Sequence, residues 1–458
     1  MSQLERPFPT SPFIGRVEEL AEITSRLNDP ECRLLTIAGP GGIGKTRLAA
    51  QACMQLADAF PDGVYFIPLQ PLNHIDFLTP TLVEALGMCC FTTEDPRIQL
   101  FGHLKKKRAL LVLDNFEHLM DGASFLSDIL MESETVKLLV TSREVLNLQE
   151  EWIFLVEGLK VPESLDVEGI EEYSAVRLFD EVARRVQPGF SLAQNLECVV
   201  HICQYLQGMP LAVEIAAAWL KTLPCRILAQ EIRSDLNLLV STKRDVPERH
   251  RSMRAVFEHS WRQLTEPEKD IFSRLSVFQG SFEYEAAQKV AGADLFSLQA
   301  FTDKSLLRVS GSGRYIIHEL LRQYLVEKLC DQCGTYNPVR DLHCDYFAEF
   351  MLRQERRLKG SEQKSALAEI DAELDNLRHA WSWAVEQEKR DMLGKLIEGL
   401  FLYYQMRSLV REGLELFRKA IHRLEGVKDS LLADFYIYTA WFEAIAGWRA
   451  PWHPIQGK

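Results

Sequence analysis

No stretch of this 458-residue chain approaches the ~18–20 consecutive apolar residues of a membrane span, and residues 1–10 lack the apolar core of a secretory leader. No membrane association is therefore expected. Positive charge is also short. Lys and Arg number 52 against 65 Asp and Glu, a formal net charge of −13, which argues against a sequence-indifferent nucleic-acid binder. The basic run 105–108 precedes an apolar stretch and reads as the solvated end of a helix. The 10 cysteines are irregularly spaced, which suits a reducing cytoplasm better than a disulfide scaffold. One grouping, Cys330, Cys333, His343 and Cys344, is zinc-capable by residue type. It falls where one helical pattern ends and the next begins, and reads as stray thiols at two helix ends.

What is present is sharper. Gly39-Pro40-Gly41-Gly42-Ile43-Gly44-Lys45-Thr46 fits the phosphate-loop pattern without a gap. Residues 33–38 read as a buried strand entering it, and 45–59 carry helical periodicity leaving it. Gly39, Gly41, Gly42, Ile43 and Gly44 would wrap a polyphosphate with backbone N–H groups. Lys45 would reach the β/γ-phosphates, the Thr46 hydroxyl would ligate Mg²⁺, and Arg47 follows them into the helix.

Apolar β-type runs at 33–38, 64–68, 109–113, 136–141 and 152–156 alternate with helical patterns. That alternation predicts an α/β P-loop domain over 12–160, a parallel sheet with helices on both faces, after an N-terminal extension of residues 1–11. From 161 to 245 the pattern is helical, with Gly208-Met209-Pro210-Leu211 opening one helix. Residues 246–332 mix helices with a hairpin, 306–309 and 314–317 around a Ser-Gly turn, and suggest a winged-helix module. Residues 333–458 read as helices at 338–357, 363–388, 391–406 and 409–424, an α-solenoid without a clean 34-residue repeat. The helix-breaking end, Trp448 to Pro454, reads as a truncated chain.

Two further strand ends carry charge. Leu110–Asp114 is a buried strand ending in a carboxylate, on what reads as a strand neighbouring the loop's, and Asp114 would hold Mg²⁺ opposite Thr46. Lys137–Arg143 ends in Thr-Ser-Arg, where Arg143 would sense a γ-phosphate. Lys45, Asp114 and Arg143 form the expected catalytic set.

In order along the chain, these motifs strongly resemble the STAND class of signal-transduction ATPases, in the branch shared by NB-ARC proteins and large bacterial regulators. Phe13-Ile14-Gly15-Arg16 looks like the family's entry box, and the resemblance implies that Ile14 and Arg16 lie around the adenine. The segment Gly208–Ala212 resembles the family's G-L-P-L-A, which implies that Pro210 packs beside the nucleotide. The segment Tyr315–Leu320 resembles the winged-helix stretch whose histidine contacts the β-phosphate of ADP, which implies that role for His318. The helical remainder resembles tetratricopeptide-like regions. One departure matters. Members of the branch usually carry a second acid directly after the strand-end aspartate, and here that residue is Asn115. An amide is no general base; Glu117, two residues on, is the substitute candidate, and slow hydrolysis is expected.

The resemblance implies an ATP/ADP switch with Mg²⁺, closed with ADP and opened by ATP for self-oligomerisation or effector output. Its inducer, a protein or small molecule, would act at the C-terminal helices. Two rivals stand beside it. A conventional P-loop ATPase would need its own substrate acid–base groups, and none stands out in the sequence. A transcriptional regulator binding DNA through the winged helix is disfavoured by the acidic balance, so direct DNA binding by this chain is not expected.

Overall fold

The computed structural model describes residues 12–72, 74–88, 95–233, 239–240, 252–331, 336–424 and 430–448. The expected extension at 1–11 and the break at 449–454 lie outside them, as does Cys333. The described chain gathers into two compact units. One holds the residues up to Leu264 with Gln299–Leu307 and His318–Tyr324. The other holds Thr265–Leu298, Arg308–Ile317 and the residues from Leu325 on.

The first unit is built on five parallel strands: β1 (Leu34–Ala38), β2 (Val64–Pro68), β3 (Leu110–Asp114), β4 (Lys137–Ser142) and β5 (Glu151–Leu155), in the order β2-β3-β4-β1-β5. Alternate residues feed two cores. Leu35, Ile37, Leu110, Val112 and Leu139 pack with α1 (Val17–Asn28) and α2 (Lys45–Leu56). Leu34, Leu111, Leu113, Leu138 and Val140 pack with α3 (Leu78–Ala85), α4 (Pro96–Leu104) and α5 (Ser124–Glu132). This two-sided burial is why β1 and β3 read as near-continuous apolar runs, apart from Thr36 and the terminal Asp114, rather than alternating ones.

One expectation is corrected. β3 is not the neighbour of β1, because β4 lies between them and pairs with both. Every residue of β4 after Lys137 is buried, so the strand needs a partner on each edge as well as a helix layer on each face. β5 takes the open edge, where Trp152, Ile153 and Leu155 remain exposed.

Four helices follow in the same unit: α6 (Ser174–Val186), α7 (Leu192–Tyr205), α8 (Pro210–Ala218) and α9 (Cys225–Glu231). Pro210 opens α8, where its missing N–H costs nothing. Gly208 just before it is required by space, since a Cβ there would come within 2.0 Å of the Leu159 carbonyl oxygen. The same glycine's carbonyl accepts from Leu159 N–H at 2.8 Å and ties the stretch after β5 to the start of α8. Helix α10 (Met253–Arg262) also belongs to this unit.

The second unit contains α11 (Glu266–Arg274), β6 (Ser281–Phe282), a short α12 (Tyr284–Ala286), β7 (Arg308–Val309) and β8 (Tyr315–Ile316). The expected hairpin forms as β7 and β8, and β6 adds a third antiparallel strand that the sequence did not signal, in the order β6-β8-β7. Two helices run from one unit into the other, α13 (Leu295–Asp303) and α14 (Glu319–Asp331). The array that follows is α15 (Tyr336–Leu358), α16 (Gln363–Glu386), α17 (Arg390–Met406), α18 (Val410–Leu424) and α19 (Ser430–Trp448). Each of these helices packs on the next, and α15, α16 and α17 also on the next but one. Trp381 stacks on Phe417 with ring centroids 5.3 Å apart.

His343 does not open a helix. It lies two turns inside α15, between the Phe278 and Phe347 rings, with Nε2 3.4 Å from Asn376 Oδ1. The thiol of Cys344 is buried and faces the Ala380 carbonyl oxygen at 3.5 Å.

Arg314 joins the small sheet to the array. Its guanidinium donates to Ser281 Oγ (2.8 Å), Glu283 Oε1 (2.8 Å) and Glu373 Oε1 (2.6 Å). Asn376 completes the joint by donating to Glu373 and to the Ser281 carbonyl, both at 2.9 Å. Both Arg314 and Glu373 are buried, so removing Glu373 leaves the guanidinium with the exposed carboxylate of Glu283 in place of a buried one. Glu373→Ala should cost about 3 kcal/mol in chemical denaturation, and Glu373→Gln clearly less, because the amide still accepts a hydrogen bond.

Candidate functional site

The C-terminal ends of β1, β3 and β4 deliver the expected residues to one place. α2 starts directly at Lys45 with Gly44 as its N-cap. Thr46, in its first turn, donates from Oγ1 to Asp114 Oδ1 at 2.8 Å. The same oxygen accepts from Thr141 Oγ1 at 2.6 Å, because the register sets Asp114 directly opposite Thr141. Burial pushes the Asp114 carboxyl above its ordinary value, and the hydroxyls of Thr141 and Thr46 oppose that rise. Lys45 Nζ turns back on the loop and donates to the carbonyls of Gly39 (2.6 Å) and Pro40 (3.1 Å).

Asn115 has a conformational reason to be an amide. Its φ is +72°, a left-handed conformation that asparagine tolerates better than most side chains. The chain turns sharply there, its N–H held by Thr141 Oγ1 at 2.9 Å. The carboxylate therefore arrives two residues later. Glu117 is buried, not a surface residue, and accepts from Arg143 Nε at 3.2 Å, with both side chains at most 4% exposed.

Arg143 has further partners: Nη1 donates to the Val256 carbonyl and to Ser260 Oγ of α10, both at 3.0 Å. Gly41 shows how close this group stands to the loop. A Cβ at Gly41 would meet Val256 Cγ1 at 2.6 Å and the Arg143 guanidinium at 3.0 Å. Gly42 is approached from another side by Leu211, and Leu211 N–H donates to the Gly42 carbonyl at 3.2 Å. Gly44 faces Pro210.

The entry box also meets the loop. Arg16 is buried, adopts φ +65°, and donates from Nη2 to the Ile43 carbonyl at 2.9 Å and from Nη1 to Glu19 at 3.1 Å. Burial lowers its pKa, with Glu19 opposing. Ile14, Phe13, Arg16, Ile43, Gly44, Arg47, Leu159 and Pro210 are among the residues lining one narrow cleft beside the loop. Arg47 Nη2 closes its rim on the Pro12 carbonyl at 2.8 Å. His318 stands apart. Its ring Nδ1 accepts from Leu320 N–H at 3.3 Å, and among the described residues no hydrogen bond joins the ring to residues 39–46. Its surroundings include the Leu206 carbonyl, four residues before Pro210, and burial lowers its pKa to about 4.

These residues fit a magnesium–nucleoside polyphosphate. Thr46 and Asp114 bring two hard oxygens together at the loop, and Lys45 and Arg143 supply cations beside it. Thr141, Leu211, Val256 and Ser260 were not singled out from sequence. Thr141 had a signal, as the neighbour of a strand-end arginine, and Leu211 had one, as the residue after Pro210 in the same segment. Val256 and Ser260 reach the loop only through tertiary packing.

The NACHT domain model matches residues 33–185. A Mycobacterium tuberculosis protein named "Putative HTH-type transcriptional regulator" is 32% identical over 429 residues, covering 89% of this chain and 47% of that protein. The chain thus spans about half the length of that relative. An uncharacterized protein of the same organism is 32% identical over 333 residues, 70% of this chain and 81% of that protein. Among solved structures, a Pyrococcus horikoshii STAND protein with a tetratricopeptide repeat sensor shares 17% identity at a TM-score of 0.31, over 97% of this chain and 80% of that one.

Two stability predictions follow from the buried groups. With its folded pKa above the ordinary 3.8, ionised Asp114 costs stability at neutral pH. Its favourable contribution is present below 3.8 and lost as pH rises through the folded value. Asp114→Asn should therefore raise the melting temperature of nucleotide-free protein by ~2–4 °C, in scanning calorimetry at pH 7. For His318 the sign is opposite: unfolded chain takes up the proton first, so stability should fall as pH drops from 6.5 to about 4 and then level off. Denaturation midpoints across that window should lose this component in His318→Gln.

Proposed function

This chain belongs to the STAND class of P-loop NTPases, and we propose that it is a nucleotide-gated regulatory switch rather than an enzyme of metabolic turnover. One observation carries the reading. The three loop glycines at 41, 42 and 44 are faced by three separate segments of the same chain: Arg143 after β4, Val256 of α10, and Pro210 with Leu211 at the start of α8. A loop serving a diffusible second substrate needs an open approach. A loop roofed by its own chain couples phosphate binding to the arrangement of the segments that roof it.

In this reading Thr46 and Asp114 hold Mg²⁺, Lys45 leaves the Gly39 and Pro40 carbonyls for the phosphates, and the cleft of Ile14, Arg16, Arg47 and Pro210 takes the nucleoside. The nucleotide supplies a phosphate count. Arg143 reads it, since a guanidinium can exchange one anionic partner for another. His318 holds the closed form through the Leu206–Pro210 stretch. Glu117 is the general-base candidate, and its pairing with Arg143 favours slow hydrolysis. The winged-helix reading of residues 246–332 and the tetratricopeptide-like reading of the array place the inducer at the C-terminal helices and the output in self-association. ADP holds the closed form and ATP favours the open one. Moving such an equilibrium from 1:99 to 99:1 takes about 5.5 kcal/mol, more than one phosphate contact provides, so the inducer must contribute.

A second reading, direct DNA binding, draws on the name of the first relative. Against it stand the net charge of −13 and the commitment of Arg314 to Glu283 and Glu373 instead of an open face. Specific retardation of a DNA duplex at physiological salt would favour it.

The switch predicts that protein purified without added nucleotide carries ADP and runs as the smaller species in size-exclusion chromatography with mass detection. Exchange into a non-hydrolysable ATP analogue should convert it to a larger assembly. A species of unchanged mass that turns over ATP rapidly would overturn the reading.

A further inference from the structure

Arg143 is held by specific contacts to α10. Its Nη1 atom donates to two oxygens of that helix, the Val256 carbonyl and the Ser260 hydroxyl. Those oxygens lie one helical turn apart on the same face. Val256 O is also the acceptor that Ser260 N–H would take in an unbroken helix, so the guanidinium shares a helical carbonyl. Meanwhile Nε is paired with Glu117 at 3.2 Å, and Val256 Cγ1 stands 2.6 Å from where a Gly41 Cβ would be. Arg143 thus bridges the phosphate loop, the β3 turn and α10 in a single buried side chain.

We infer that Ser260 and the Val256 carbonyl are positioning groups for Arg143: they substitute for a phosphate oxygen on its guanidinium when the terminal phosphate is absent and must be given up when it is present. The inference rests on Arg143 being the phosphate-reading group. It goes beyond that by assigning the competitor, a serine on α10 that no motif marks. Competition has a definite thermodynamic signature. A ligand that needs Arg143 free, the triphosphate, binds against the clamp and pays for breaking it. A diphosphate that leaves Arg143 in place does not. Ser260 therefore sets the ratio of ATP to ADP affinity and leaves ADP affinity itself alone.

The test measures Kd for fluorescent ADP and a fluorescent non-hydrolysable ATP analogue, with Mg²⁺, on the full chain. Ser260→Ala should strengthen binding of the ATP analogue by about tenfold, the scale of a hydrogen bond to a charged group, with ADP unchanged. Ser260→Asp, whose carboxylate holds the guanidinium harder, should weaken the ATP analogue and again spare ADP. Arg143→Ala should bring the two affinities together. If Arg143→Ala removes the discrimination but both Ser260 variants match wild type, the clamp is wrong and the sensor reading survives. If Arg143→Ala leaves the discrimination intact, the sensor reading and the clamp fall together. Equal shifts of both nucleotides in the Ser260 variants would also overturn the clamp.

Discussion

A strand buried on both faces and both edges has no wet side, so a charge at its end must be answered by other groups of the protein. That constraint governs this site. β3 and β4 lie in the interior of a five-stranded parallel sheet, and each delivers a charge to its C-terminal end, Asp114 and Arg143. Asp114 is answered by two hydroxyls, from Thr46 on α2 and Thr141 on the neighbouring strand. Arg143 is answered by Glu117 and by two oxygens of α10. Those partners lie on four different segments, α2, β4, the turn after β3 and α10, so satisfying two charges is what draws the phosphate loop, the turn after β3 and a helix more than a hundred residues later into one cluster.

The same cluster is suited to a switch because its charges have alternatives. Lys45 rests on two loop carbonyls, and Arg143 rests on a carboxylate, a carbonyl and a hydroxyl. Each contact resembles in chemistry what a phosphate oxygen offers, so exchange costs far less than exposing a bare cation to a buried site. The second unit obeys the same rule for a different end. Arg314 is also buried, but its partners Glu373 and Glu283 are carboxylates in excess of its charge, which makes a joint and not a competition. Arg314 welds; Arg143 can choose.

Much of this was legible in the residues. The phosphate loop carries its conformation in its own glycines, and the five strands were found within a residue or two because each is a short apolar run bounded by turn or helical patterns, the interior ones buried on both faces. Asn115 was legible only in part. The missing acid was visible, but its cause, a left-handed turn that carries Glu117 in toward Arg143, depends on backbone geometry. His343 was misplaced because a short helix end and a helix interior look alike when flanking residues are apolar. The third strand of the small sheet escaped because two residues are too few to show a period.

By itself the sequence determined what local rules can dictate: a phosphate-binding loop between strand and helix, charged strand ends, an order of segments, and a helical C-terminal array. These depend on neighbours a few residues apart, where spacing is geometry. Only the tertiary structure decided that β4 separates the loop's strand from the aspartate's, that Glu117 points inward, and that Val256 and Ser260 meet Arg143 across 113 and 117 residues of chain. Strand order and helix docking follow from burying whole faces together, and no local pattern records which distant oxygen will answer a buried charge.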